Sequence, residues 1–186
     1  MYISKGVIVK KLPHKQLLIY HYREQHRLNE KQAVLWQNGA KDFCQTDTLE
    51  DERSVIELVK LGLAEITYVV SLREKYILLK KCLICVLPKR RSYRRLTHRE
   101  KQIMLWLTGA GFRLGISELI ILIENKIEPI KELLEFKNAA KLRLLLNGSY
   151  ITIGNPLEIK ASVAHCRDEV VSCIISLIRK KKIYLT

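Results

Sequence analysis

One stretch of sequence occurs twice, and it decides the fold. Glu30-Lys31-Gln32-Ala33-Val34-Leu35-Trp36-Gln37-Asn38-Gly39-Ala40 returns seventy positions later as Glu100-Lys101-Gln102-Ile103-Met104-Leu105-Trp106-Leu107-Thr108-Gly109-Ala110. The shared frame is E-K-Q-x-x-L-W-x-x-G-A. A repeat at this period predicts two copies of a small domain, each with a helix that buries its Leu-Trp pair and ends at a glycine.

The sequence around the first copy predicts a hairpin and two helices. Apolar runs at residues 7–9 and 17–20 flank a turn that contains proline, which is typical of a β-hairpin. Asn29 and Gln32 have the spacing of a capping box at the start of the repeated helix. Thr48 and Asp51 have the same spacing before a second helix, predicted over residues 49–61. Strand character resumes over residues 63–70.

The second copy is predicted to begin in the same way and to continue further. Strands are expected at residues 76–79 and 83–87, and Thr97 with Glu100 forms a capping box for the repeated helix. Gly109, Gly111 and Gly115 indicate a loop. Helices are expected over residues 116–127, from Pro129 to about residue 147, and around residues 168–180, with short strands at 149–153 and 183–185.

The order helix, turn, helix, helix, hairpin-like strand resembles the winged-helix superfamily. The run Leu58-Val59-Lys60-Leu61-Gly62-Leu63-Ala64-Glu65-Ile66 looks like the end of a winged-helix third helix and the start of its wing. The resemblance covers residues 28–70 and 96–155. It implies an α+β, helix-rich fold of two tandem winged-helix-like units, residues 1–72 and 73–156, with the helix and strand of residues 157–186 packed on the second unit. It also implies DNA binding.

A second resemblance is to the peptide-recognition domains that hold the leader peptides of ribosomally made natural products. It is carried by the hairpin, by Leu28-Asn29-Glu30 with Trp36 and Gly39, and by the helix that ends in Leu61-Gly62-Leu63. These domains have a winged-helix-like layout, so the predicted fold is the same. The partner that this resemblance implies is an acidic peptide.

Positive charge is concentrated in one part of the chain. The net charge is +14 in 186 residues, and residues 75–99 alone hold nine basic and no acidic side chains. A pI near 9.7 indicates a polyanionic partner. Residues 1–74 are nearly balanced, at a net +1.

The segment before the second repeated helix is the predicted nucleic-acid contact. Arginine presents a planar fork to phosphate oxygens, the N–H groups of a helix start favour anions, and tyrosine can stack on a base. The expected contacts in this segment are Lys89, Arg90, Arg91, Tyr93, Arg94, Arg95, His98 and Arg99.

Two further groups of basic residues are candidates for the same partner. In the predicted third helix, Lys131, Lys137, Lys141 and Arg143 would face a groove or the backbone of DNA, although Glu132 and Glu135 dilute their charge. Arg179-Lys180-Lys181-Lys182 ends the last helix, where cations also complement the helix dipole without any partner.

Two interpretations compete with DNA binding. In the first, an acidic peptide or partner protein adds a strand to the exposed edge of the hairpin over residues 7–20. In the second, the protein is a structural subunit whose basic loop pairs with the acidic residues Glu50, Asp51, Glu52 and Glu57 of its own first half. The repeated tryptophans are expected to be core residues rather than aromatic platforms for a ligand.

Catalytic and metal-binding signatures are weak. Five cysteines in apolar contexts indicate free thiols, and Cys82-x-x-Cys85 with His165-Cys166 is poor evidence for zinc because residues i and i+3 of a strand lie on opposite faces. The five histidines form no triad. We expect a protein that is not an enzyme, has no cofactor and no metal, lacks a signal peptide and a membrane span, and is cytoplasmic.

Overall fold

The fold mixes helices with small antiparallel sheets. A computed structural model of the chain describes residues 1–87, 93–109, 114–127, 129 and 161–186. In chain order the elements are β1 (Tyr2–Ser4), β2 (Val7–Lys11), β3 (Leu17–His21), β4 (Glu24–Leu28), α1 (Glu30–Gly39), α2 (Leu49–Lys60), β5 (Ala64–Ile66), α3 (Leu72–Lys80), β6 (Leu83–Val86), α4 (His98–Gly109), β7 (Leu114–Gly115), α5 (Ile116–Glu124), α6 (Arg167–Arg179) and β8 (Ile183–Leu185).

Each of the three sheets found in the described ranges is antiparallel. β1 pairs with β5, β2-β3-β4 form a meander with β3 at its centre, and β6 lies between β7 and β8. The predicted hairpin over residues 7–20 is present, and β4 extends it to three strands. β4 is polar (Glu24-Gln25-His26-Arg27-Leu28), so its sequence lacks the apolar alternation by which strands are recognised.

Two apolar cores lie on opposite sides of β1. Tyr2 belongs to a core formed by β3, α1, α2 and β5, whereas Ile3 belongs to a larger core formed by α3 to α6 and the β6 sheet. Consecutive side chains of a strand point to opposite faces, which allows one short strand to join both cores. Both side chains are at least 99% buried.

The two repeated helices have the predicted caps. Asn29 caps α1 in a capping box with Gln32, and the Glu100 carboxylate accepts the Thr97 N–H at 2.8 Å while the Thr97 hydroxyl accepts the Glu100 N–H at 3.2 Å. Trp36 is 3% exposed and Trp106 is fully buried, so the prediction that both are core residues is confirmed.

The glycine that ends α1 has a different role from the predicted one. Gly39 is the last residue of the helix and its φ is not positive, so it is not the left-handed residue that follows a helix. A Cβ at this position would lie 2.7 Å from the Tyr2 ring and against the Ser4 hydroxyl. Close packing of α1 on β1 therefore requires the glycine. Gly62, by contrast, does follow α2 in the left-handed region, with φ +73°.

The predicted strand at residues 76–79 is wrong, because these residues lie in α3. Ser71 caps this helix, its hydroxyl accepting the Glu74 N–H at 3.1 Å. Tyr76, Leu78 and Leu79 are buried on it. A run of four apolar residues fits a buried helix as well as a strand, and the cap decides between them.

The remaining predicted elements are partly present. Residues 63–70 hold only the short strand β5, and residues 116–127 hold α5, which ends at Glu124. α6 and β8 lie where they were predicted. The predicted third helix of the second unit and the strand at 149–153 lie outside the described residues. Within the described ranges, no helix is long and apolar enough to span a membrane.

Candidate nucleic-acid interface

Both ends of the predicted basic segment lie beside the basic end of α6. At one end, the Leu87 N–H donates to the carbonyl of Lys182 at 3.0 Å. At the other, the Lys180 ammonium donates to the carbonyl of Arg95 at 3.4 Å. Two basic clusters that are separated by eighty residues in the sequence therefore meet at one surface.

This surface is named here the basic face. Arg94, Arg95, His98, Lys101, Lys180 and Lys181 are exposed and Lys182 is half-buried. The side chains of Arg95, His98, Lys101 and Lys181 make no hydrogen bond or ion pair within the described ranges. Unpaired cations that lie together attract a polyanion more strongly than cations already neutralised by carboxylates. The basic face is defined by these seven residues.

Lys180 attaches α6 to the start of α4. Its ammonium lies 2.7 Å from both carboxylate oxygens of Glu100, a residue that is 2% exposed. Burial raises the pKa of Glu100, but hydrogen bonds from Lys180, Ser176 and the Thr97 N–H outweigh it, and the pKa lies below its usual range. The pair fixes the two basic clusters relative to each other.

The start of α4 is itself less suited to an anion than the sequence predicts. The Glu100 carboxylate already accepts the Thr97 N–H, and the Glu100 N–H is taken by the Thr97 hydroxyl. A second anion would meet the charge of that carboxylate. The side chains of the basic face, rather than the helix N-terminus, are the groups available to a phosphate.

Two predicted contacts already have partners within the protein. The Tyr93 hydroxyl lies 3.1 Å from the Thr108 hydroxyl, and its half-buried ring packs on the larger core. The Arg99 guanidinium donates to Glu169 at 2.9 Å and to Gln102 at 2.6 Å. A base or phosphate would have to compete with these contacts.

The other predicted contacts are not in the described part of the chain. Lys89, Arg90 and Arg91 lie between Leu87 and Tyr93, outside the described ranges, as do Lys137, Lys141 and Arg143.

Three of the four acidic residues of α2 contact side chains of α1. The Lys31 ammonium lies 2.9 Å from Glu50 and 3.3 Å from Asp51, and the Gln32 amide donates to Glu57 at 2.8 Å. Among the contacts that do join the halves are ion pairs from Arg179 to Asp42, at 2.7 Å, and from Lys81 to Glu65, at 3.3 Å. Among the described residues, pairing of the basic face with α2 is therefore absent.

Backbone strain coincides with the basic face. Arg95 has φ +63° and Lys181 has φ +53°, both in the left-handed region that favours glycine. Lys181 follows α6 as Gly62 follows α2: in each case the next N–H donates back to the helix, from Lys182 to Leu177 at 2.9 Å and from Leu63 to Leu58 at 2.8 Å. A lysine therefore occupies a position where glycine is less strained. Comparing Leu61-Gly62-Leu63 with Lys180-Lys181-Lys182 could have identified Lys181 from the sequence.

The thiols and histidines form no metal site within the described ranges. No group of three or more His, Cys, Asp or Glu side chains is close enough there to hold a metal ion. Burial raises the pKa of Cys82 and Cys166 to about 12 and that of Cys173 to about 11, so these thiols are protonated and unreactive at neutral pH.

Comparison of the chain with protein-family models, with curated proteins and with solved structures gives no match.

Proposed function

We propose that the protein binds double-stranded DNA through the basic face and acts as a transcriptional regulator. The observation that supports this proposal is the meeting of two basic clusters at the junction of α4 and α6, where at least four cationic or titratable side chains are unpaired within the described residues. Charge arranged in this way neutralises neighbouring phosphates and releases their counterions. In this proposal the two halves form tandem winged-helix-like units, the second of which makes most of the contact.

The mechanism divides the residues into positioning and contacting groups. Glu100 holds Lys180, Glu169 holds Arg99, and these pairs fix α6 against α4. Arg94, Arg95 and Lys181 then contact phosphates, which set the register of the protein on DNA without reading sequence. Sequence reading would fall to the predicted third helix and its Lys137, Lys141 and Arg143. Because acidic residues dilute that helix, we expect affinity to exceed specificity.

The test is binding of a fluorescent random-sequence duplex, measured by anisotropy at several salt concentrations. Each phosphate contact contributes about −0.9 to the slope of log K against log salt. Replacing Arg90, Arg91, Arg94 and Arg95 with glutamine is expected to make the slope of log K against log salt less negative by about 3 to 4. The control replaces Lys41, Arg53, Lys60 and Lys126, four exposed basic residues outside the basic face, and leaves most of the slope in place. Absence of binding at low salt, or equal loss in both variants, overturns the proposal.

The second candidate function is recognition of an acidic peptide by the outer edge of β2. Ile8 and Val9 are 43% and 51% exposed, and β2 pairs with β3 on one side only in the described sheet. The same strand carries two devices that protect edges from pairing: Lys10 with Lys11, and a bulge between Ile8 and Lys10. These devices favour DNA over a peptide. An added strand would protect backbone amides of β2 from hydrogen exchange, and an acidic peptide that leaves them unprotected excludes this function.

A further inference from the structure

A cavity of about 440 Å³ lies between the meander and the last strand. It is lined by Val7 of β2, by Tyr20 and His21 of β3, by Tyr22 and Arg23 of the turn, and by Tyr184 of β8. Its volume is within the range of small-molecule sites. None of the seven residues of the basic face lines this cavity.

His21 is the unusual residue of this cavity. It is 3% exposed, and neither ring nitrogen has a hydrogen-bond partner among the described residues. A buried polar group without a partner costs about 1 to 3 kcal/mol. Both ring nitrogens are closed to water in this structure, so the cost is recovered when the neighbouring side chains move aside and a ligand supplies a donor and an acceptor to the ring. Burial, then the charges of Lys5 and His26, lower the pKa of His21 despite Glu24, so the ring is neutral and offers one donor and one acceptor.

The turn beside His21 is strained as well. Tyr22 and Arg23 form a two-residue hairpin loop, with φ +44° and +71°. Such loops favour Asn-Gly because both residues need positive φ. Here the two positions hold residues whose side chains line the cavity instead. Residues kept in unfavourable conformations beside an unpaired buried polar group are typical of binding sites.

The lining indicates the chemistry of the ligand. Tyr20, Tyr22 and Tyr184 supply flat aromatic rings, and the His21 and Tyr22 rings are 4.3 Å apart. Aromatic rings favour a planar ring as a partner. Arg23, the cationic side chain of the lining, has the planar fork that suits a carboxylate or a phosphate. We propose that the cavity binds a small planar aromatic anion, with its ring among the tyrosines, its anionic group on Arg23 and a polar ring atom on His21.

The test uses four probes and isothermal titration calorimetry on the full chain. 4-Hydroxybenzoate and uridine monophosphate carry a ring and an anion, and they distinguish an aromatic acid from a nucleotide as the source. Cyclohexanecarboxylate and inorganic phosphate carry the anion alone. Binding of either aromatic probe, with at least tenfold weaker binding of the other two, is expected. If no aromatic probe binds with a Kd below about 1 mM, or if phosphate binds as well as they do, the proposal is wrong.

Two variants locate the site. His21→Phe fills the same space without polar atoms, and loss of one hydrogen bond is expected to weaken aromatic binding about tenfold. His14→Phe, at the exposed far end of the same hairpin, is the matched control and leaves binding unchanged. Arg23→Asn suits positive φ and therefore preserves the fold. It is expected to remove the preference for anionic over neutral rings, and an unchanged preference would exclude Arg23 from the site.

Discussion

Replacing Lys181 with glycine is expected to stabilise the protein while weakening DNA binding. Lys181 has φ +53°, for which a residue with a side chain pays about 1 to 2 kcal/mol. Glycine removes that strain. It also makes the unfolded chain more flexible, which lowers the free energy of unfolding by about 0.4 to 1 kcal/mol. The net gain is about 0.5 to 1 kcal/mol, which raises Tm by about 1 to 4 °C in a chain of this size.

The same change removes one cation from the basic face. At 0.1 M salt, one lost phosphate contact weakens binding about eightfold, since the contact contributes a slope of about −0.9 per decade of salt. Urea unfolding measures the first effect, and anisotropy of a random-sequence duplex measures the second. The free energy of unfolding is therefore expected to rise while the affinity for DNA falls.

Lys126→Gly is the matched control. Lys126 is also an exposed lysine with positive φ, +54°, at the end of a helix, in this case α5. The end of α5 contacts the beginning of α6, where the Cys166 N–H donates to Glu124 at 3.1 Å. The 13 residues of α6 place Lys181 about 20 Å from that end. Lys126→Gly should add the same stability and keep DNA affinity. Equal losses of affinity in the two variants would refute a localised basic face.

Three further predictions concern stability. Gly39→Ala is expected to lower the free energy of unfolding, measured in urea, by about 2 kcal/mol because the added methyl group meets Tyr2. Gly62→Ala, which has open space around it, should lower it by only about 1 kcal/mol of backbone strain. Equal losses in the two variants would contradict the close packing at Gly39. Glu100→Gln removes the charged partner of Lys180 and should cost about 2 kcal/mol at pH 7. Because the pKa of Glu100 is lowered in the folded protein, this cost should shrink as the pH falls below about 4.5, the ordinary pKa of a glutamate; a cost independent of pH would contradict a role for its charge. The lowered pKa of His21 means that the unfolded chain binds a proton before the folded one, so stability falls below pH 6.5 by up to about 1.4 kcal/mol per pH unit, and His21→Phe should remove that dependence.

Local signals in the sequence predict the starts of helices and the buried tryptophans of this chain well. The capping pairs Asn29 with Gln32 and Thr97 with Glu100 fix where α1 and α4 begin, because a cap depends only on residues that are close in sequence. The burial of Trp36 and Trp106 follows from the same repeated frame. The apolar run at 76–79 led to a wrong strand prediction because four apolar residues fit the period of a buried helix as well as that of a strand. The deciding signal was the helix cap Ser71, five residues earlier.

Long-range geometry could not be predicted in this way. The contact of Lys180 with Glu100 joins residues eighty positions apart, and the bond between Leu87 and Lys182 depends on the pairing of β6 with β8. The sequence predicted two basic clusters but did not predict that they meet. The cavity at His21 was missed for the same reason, since its walls come from both ends of the chain.

Strain alone does not identify a site in this protein. Left-handed residues occur at Arg95 and Lys181 in the basic face and in the turn beside His21, but also at Lys126 and at His14-Lys15, where no second observation points to a ligand. The distinction lies in what accompanies the strain: at the basic face, unpaired cations from two distant segments, and at the cavity, a buried imidazole without a partner. If strain were by itself the mark of function, Lys126→Gly would impair binding as much as Lys181→Gly. Comparing the DNA affinities of those two variants therefore tests whether unpaired cations, rather than strain, mark the basic face.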